Sequence, residues 1–295
     1  MTNSKGATLV LRGSGRTGSR VAQNLIERGL SARTAARGDA HVRFDWDDKT
    51  THGPALSGVD SVYLVTPVMR VDFAGQVSDF LDLAEAAGVR HVTYLSTYGI
   101  DQASPEFAIR AVELDLLSRT GLTHSILRPA WVMQNFSESF WLDPLLGGEL
   151  VLPAGDVPVP FVDAEDIAAV AVAALTEDGH AGEVYELSGP RALTFAEAVA
   201  EIAAASGREL RYVPVSAGEY AAAAIAEGTP AEIVDLLGYL FAEVLVEANA
   251  YLGDGTRRAL GRPALDFAVF AREAAAAGVW SPLDAGARIH DREAA

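Results

Sequence analysis

Apolar residues in the first part of the chain fall in short solid runs separated by longer amphipathic stretches. Residues 7–11 read as a buried strand, and the stretch 16–28 carries Val21, Leu25 and Ile26 on one helical face before Gly29. Strand patterns recur at 31–36, 61–66 (SVYLVT), 91–96 (HVTYLS) and 123–127. Between them, helices are predicted over 71–87, closed by Gly88, and from the Ser104-Pro105-Glu106 start signal to Arg119. Strands alternating with helices predict an α/β fold with a parallel sheet.

Beyond residue 128 the pattern changes to helices. Asp163 opens an apolar helix over 163–174, its acidic start suiting the positive end of the helix dipole. Thr194 with Glu197, and Thr229 with Glu232, have capping-box spacing. From Ile233 to Ala248 apolar residues keep helical spacing with acidic residues opposite, which predicts one packed helix with a wet face. Short strands are expected at 183–187 and 210–213. A smaller, mostly helical C-terminal lobe on the parallel sheet follows.

Composition narrows the function classes. The 295 residues include no cysteine, which removes disulfides, thiolate nucleophiles and cysteine-held metals. With no leader pattern and no apolar run near a membrane span, the chain reads as cytoplasmic, with no membrane partner. Residues 1–128 hold 14 basic and 14 acidic side chains, whereas 129–295 hold 9 and 26, so the net charge of −17 lies in the second part. Such a chain is not a nucleic-acid binder. The acidic half reads either as solvated helix faces or as a field favouring a cationic ligand.

GSGRTG after the first strand satisfies GxGxxG at Gly13, Gly15 and Gly18 and opens a helix, the context that a dinucleotide turn requires. Gly13 is expected to make the sharp turn, Gly15 to let the pyrophosphate approach the backbone, and Gly18 to let helix and strand pack. Ser14 and Thr17 complete the turn, Ser14 as a phosphate neighbour. The second strand ends in Arg37, 19 residues after Gly18, where an NAD site would place an acid. Arg37 and Arg16 suit a 2′-phosphate instead, since each guanidinium donates paired hydrogen bonds, so the cofactor read here is NADP(H).

These motifs, with VTP after Leu64, STYG after the fourth strand, TGLTHSILRPAWVMQNF and DAEDIAAVAVAAL, resemble the NmrA-like atypical short-chain dehydrogenase/reductases. FDWDD at 44–48 and GRPALDFAVFAREAAAAGVW resemble the branch of the ergot-alkaloid dehydrogenases, of festuclavine and agroclavine synthase type. The resemblance spans residues 8–280. It implies a Rossmann core over 1–128, extended by about 160–188, and a substrate lobe from 129–159 and 189–295. It also implies Asp45 and Trp46 beside the adenine, Thr66, Pro67 and Val68 under the adenosine, and Ser96, Thr97 and Tyr98 with Pro129, Ala130 and Trp131 around the nicotinamide. RPAWVMQNF reads equally as core packing.

No tyrosine is followed four residues later by lysine, so the YxxxK proton relay of ordinary short-chain dehydrogenases is missing. Tyr98 is left as the one candidate acid, or as a packed aromatic with its hydroxyl on a backbone group. The six histidines are scattered and no metal site is expected. Trp131, Phe136, Phe140 and Trp141 read as a substrate wall or as core. The resulting expectation is an NADPH-dependent reductase of a small organic electrophile, foremost a cyclic imine or iminium in natural-product metabolism. A quinone or carbonyl reductase and a non-catalytic NADP(H) sensor are the alternatives.

Overall fold

The computed structural model describes residues 6–68 and 70–281. In chain order its strands are β1 (Ala7–Leu11), β2 (Ala32–Ala36), β3 (Val42–Arg43), β4 (Val59–Leu64), β5 (His91–Leu95), β6 (Thr123–Pro129), β7 (Glu149–Leu152), β8 (Val184–Leu187) and β9 (Arg211–Pro214). The helices are α1 (Arg16–Glu27), α2 (His52–Leu56), α3 (Ala74–Ala86), α4 (Ala108–Ser118), α5 (Leu142–Leu146), α6 (Ala164–Thr176), α7 (Phe195–Ser206), α8 (Ala217–Ala226), α9 (Ala231–Tyr239), α10 (Gly255–Leu260) and α11 (Phe267–Ala276). None of the helices among these residues is long and apolar enough to cross a membrane.

Seven strands pair in parallel in the order β3-β2-β1-β4-β5-β6-β8, a Rossmann-type sheet whose strand order reverses at β1 and β4. Alternate residues of β1 are buried on opposite faces. Leu9 and Leu11 join Leu64, Phe80 and Trp46 on the side of α2, α3 and α4. Val10 joins Val21, Tyr63, Leu127 and Ile167 on the side of α1 and α6. A third core, drawn from Met133–Phe161 and Leu193–Trp280, is aromatic and surrounds Phe136, Phe161, Phe195 and Phe267. β7 and β9 pair there as a separate two-stranded ribbon.

Several element starts differ from the sequence pattern. The helix expected from Val71 begins at Ala74, and the one expected from Pro105 begins at Ala108. Ser104 Oγ accepts from Glu106 N at 3.3 Å and Ser104 O accepts from Phe107 N at 2.9 Å, so this signal closes a turn ahead of the helix. Thr194 and Glu197 do form a capping box, but Thr229 and Glu232 do not. Thr229 N donates to Ala224 O, closing α8, and Pro230 caps α9 without a side-chain bond. The continuous helix expected to Ala248 stops at Tyr239 and passes through a π turn at Leu240–Val244. The wider turn rotates the chain so that both Phe241 and Leu245 are buried in the aromatic core.

Candidate active site

β1 runs into the glycine turn, which is fitted to its neighbours at backbone distance. Gly13 N donates to Ala35 O at 3.2 Å, and a Cβ on Gly13 would overlap the Thr34 side chain. A Cβ on Gly18 would overlap the Arg12 carbonyl, so glycine there sets how closely α1 approaches the strand. The left-handed residue of the turn is Arg12, at φ 50, and Gly13 is not left-handed; close approach to β2 is its role in place of the expected sharp turn. Gly15 precedes α1 with no side-chain cap and no acid in the first turn, leaving amides at the helix start to an anion. Ser14 is exposed and Thr17 half-buried at the same turn.

Arginines surround it. Arg37 leaves the end of β2 exposed, and Arg16 occupies the first position of α1. Arg16 donates to Asn135 Oδ1 and lies 5.8 Å above the Phe140 ring. Burial lowers the Arg16 pKa, Glu138 opposes the shift, and Arg12 and Arg20 add to it. Arg12, absent from the sequence reading, is lowered by burial and by the charge of Arg37. Only its backbone conformation, which no motif reports, marks it out.

A cleft of about 1500 Å³ runs from Arg16 and Thr66, Pro67 and Val68 past Ser96, Thr97 and Tyr98 to Pro129, Ala130 and Trp131. It continues under Phe140 and Trp141 to Tyr220, Leu236, Leu240 and Phe241 of the lobe. Strand ends of β4, β5 and β6 form its floor, so the positions expected beneath adenosine and nicotinamide share one wall. Trp131 stacks on Trp141 and Phe241 at 5.6 Å each.

Two expected site residues belong to the cores instead. Phe136 is fully buried against Trp141, Phe161 and Phe267, and its carbonyl accepts from Trp280 Nε1 at 2.9 Å. It stands behind the cleft wall formed by Trp131, Phe140 and Trp141 and does not line it. Trp46 is buried edge-on to Phe44 and Phe80, so its ring packs the sheet and is not free beside an adenine. Asp45 is taken up locally, its main chain accepting from Thr51 Oγ1 and its carboxylate from Asp47 N.

Tyr98 lines the cleft but its hydroxyl donates to the Tyr251 carbonyl at 3.0 Å, and its ring stacks on Tyr251 at 4.6 Å. Burial raises its pKa well above the ordinary phenol value, and the charges of Tyr251 and Glu186 add to the shift. This arrangement matches the packed-aromatic reading, with the hydroxyl on a backbone group. Beneath the same loop, Glu113 of α4 is fully buried and accepts from Ser96 Oγ at 2.6 Å, Arg110 at 2.8 Å and Arg128 at 2.9 and 2.8 Å. This charged triad below the strand ends was not read from sequence. Far from the cleft, the supposedly scattered His91, His124 and His180 gather at the amino edge of β5, β6 and β8, where burial and the other two histidines lower His91 to about 4.

The description of the NmrA-like family matches residues 4–253. The chain is 32% identical over 285 residues to the NAD(P)H azoreductase of Xenophilus azovorans, covering 91% of this chain and 98% of that protein. It is 30% identical over 257 residues to agroclavine dehydrogenase of Claviceps fusiformis, covering 82% and 87%. The Escherichia coli NADPH-dependent quinone oxidoreductase solved with NADPH shares the fold at a TM-score of 0.71 and 24% identity, over 90% of this chain and 99% of that one.

Proposed function

The chain belongs to the NmrA-like family, and from that premise we propose that it is an NADPH-dependent reductase of a bulky, flat, conjugated electrophile, foremost a cyclic imine or iminium. The residues present fit a 2′-phosphorylated dinucleotide, because guanidiniums gather beside a glycine turn that a Cβ would fill. The turn amides with Ser14, Gly15 and Thr17 would hold the pyrophosphate and Arg37 the 2′-phosphate, whereas Arg16, expected beside Arg37, is turned into the cleft toward Asn135 and Phe140. Thr66, Pro67 and Val68 flank the adenosine side, while Ser96, Thr97, Pro129 and Ala130 position the nicotinamide. When bound, the reduced nicotinamide supplies a hydride. Trp131, Phe140 and Trp141 orient the substrate and exclude water.

The observation that carries the substrate reading is the Tyr98 hydroxyl, committed to the Tyr251 carbonyl inside the cleft. Hydride addition to a ketone leaves charge on oxygen and calls for a proton donor, whereas addition to an iminium carbon neutralises a cation. The polarity of the cleft supports the same reading. Its nucleotide end presents Arg16, and its lobe end presents Glu219 and Glu227. Glu219 caps α8 through Ser216, whereas Glu227 has no ion pair among the described residues.

The azoreductase relative, matched over nearly its whole length, favours a second reading: a neutral quinone-like or azo electrophile. Steady-state NADPH oxidation across cyclic iminium salts, quinones, azo compounds and simple ketones separates the two. Iminium preference is expected, and preference for a quinone or azo compound overturns it in favour of the second reading. Binding of NADPH with no turnover of any member leaves the sensor reading standing.

A further inference from the structure

Among the described residues, Arg12 alone has a left-handed backbone without being glycine. The left-handed region costs an ordinary side chain strain that glycine avoids and asparagine largely tolerates. An arginine there is an expensive choice, and its surroundings show what it faces. The bond from Gly13 N to Ala35 O lashes the turn to the end of β2, two residues before Arg37. The Arg12 side chain folds back over Gly15, its Nε 3.6 Å from where a Cβ on Gly15 would stand. Neither Arg12 nor Arg37 has a side-chain hydrogen bond or ion pair among the described residues, in a chain with 40 acidic and 23 basic side chains. Asp47, the acid whose charge Arg37 influences, is bonded to Arg70 at 2.8 Å. Unpaired like charges beside an abundance of acids mark a place kept for an anion that the chain itself does not supply.

We propose that Arg12 is a further anchor for the 2′-phosphate, held in a strained conformation that folds its side chain over Gly15, on the turn lashed to the strand end from which Arg37 leaves. The proposal rests on the nucleotide-binding reading above and adds a specificity-determining residue to it. Strain and charge are separable by substitution. Arg12→Gly and Arg12→Asn remove the charge and relieve the backbone, while Arg12→Lys keeps both.

The test titrates each variant with NADPH and NADH by fluorescence and measures its melting temperature without nucleotide. Arg12→Gly and Arg12→Asn are expected to weaken NADPH about 10- to 100-fold and NADH less than about twofold. The melting temperature of Arg12→Gly should rise by on the order of 2–4 °C. Arg12→Lys should melt like the unaltered protein and keep part of the NADPH preference. Equal losses for both nucleotides, or a lower melting temperature in Arg12→Gly, would show a residue that merely shapes the turn and would overturn the proposal. NADPH binding unchanged in Arg12→Gly removes Arg12 alone from the site. Failure of the unaltered protein to bind NADPH defeats the nucleotide reading, and the role of Arg12 with it.

Discussion

Arg37 and Tyr98 show how much a single position could reveal. Arg37 was legible because the strand–glycine–helix context fixes where the second strand must end. Reversing its charge removes charge-assisted bonds worth about 1.5–3 kcal/mol in all and adds repulsion. Arg37→Glu should therefore weaken NADPH by at least tenfold in a titration while leaving NADH nearly unaffected, and parallel losses would contradict the assignment. Tyr98 was legible as a cleft residue, but its role depended on whether a backbone carbonyl 153 positions away would take its hydroxyl. With that bond present, Tyr98→Phe should lower turnover on an imine less than about tenfold, or 1.4 kcal/mol. A collapse of imine turnover would restore Tyr98 as the acid. Phe136 and Trp46 were misplaced for a related reason: aromatic residues beyond a strand end have one sequence signature, whether they wall a cleft or fill the core behind it.

At the scale of elements, buried strands and glycine-closed helices were recovered to within a few residues, because their periodicity is local. β3 and β7 escaped: a two-residue strand has no period, and β7 exists through its pairing with β9, some 60 residues later. The Glu113 network escaped too, since Ser96, Arg110 and Arg128 come from three separate segments. It ties α4 beneath the ends of β5 and β6, so Glu113→Ala takes the buried carboxylate from half-buried Arg110 and Arg128, leaving Arg128 only its longer contacts to Asp101 at 3.6 Å and Glu186 at 3.7 Å, and should cost about 3 kcal/mol by denaturant unfolding. A loss below about 1 kcal/mol would mean that the network does not brace the cleft floor. The histidine edge has its own pH signature. His91 titrates near 4 when folded against 6.5 ordinarily, so between those values the unfolded chain binds more protons. Stability is thus whole above about pH 6.5 and declines as the pH falls toward 4, by on the order of 1–3 kcal/mol. His91→Gln should flatten that slope, and an unchanged slope would assign the acid sensitivity elsewhere.

The whole molecule places its charge unevenly, and the cleft inherits the asymmetry. Arginines meet at the glycine turn on a half of the chain that is otherwise balanced, while the acidic excess belongs to residues 129–295, shared between the lobe and the α6–β8 segment of the sheet. The sequence showed this division but not its geometry, because which glutamates face the cleft depends on how α8 is set over the aromatic core. Glu227, at the end of α8, lines the cleft and has no ion pair among the described residues. A cation entering past it gains from the negative potential, whereas a neutral quinone does not. Glu227→Gln should therefore raise the KM for an iminium salt about two- to fivefold, an effect of less than about 1 kcal/mol that shrinks with added salt. Turnover should hold, because the residue lies at the end of α8 and not on the strand ends proposed to position the nicotinamide, and the KM for a quinone should stay as it was. An equal rise for both substrates would make the residue a shaper of the lobe, without electrostatic selectivity. No change for either would detach the acidic half from substrate choice and return it to the solvated helix faces, leaving the iminium reading to rest on the engaged hydroxyl of Tyr98.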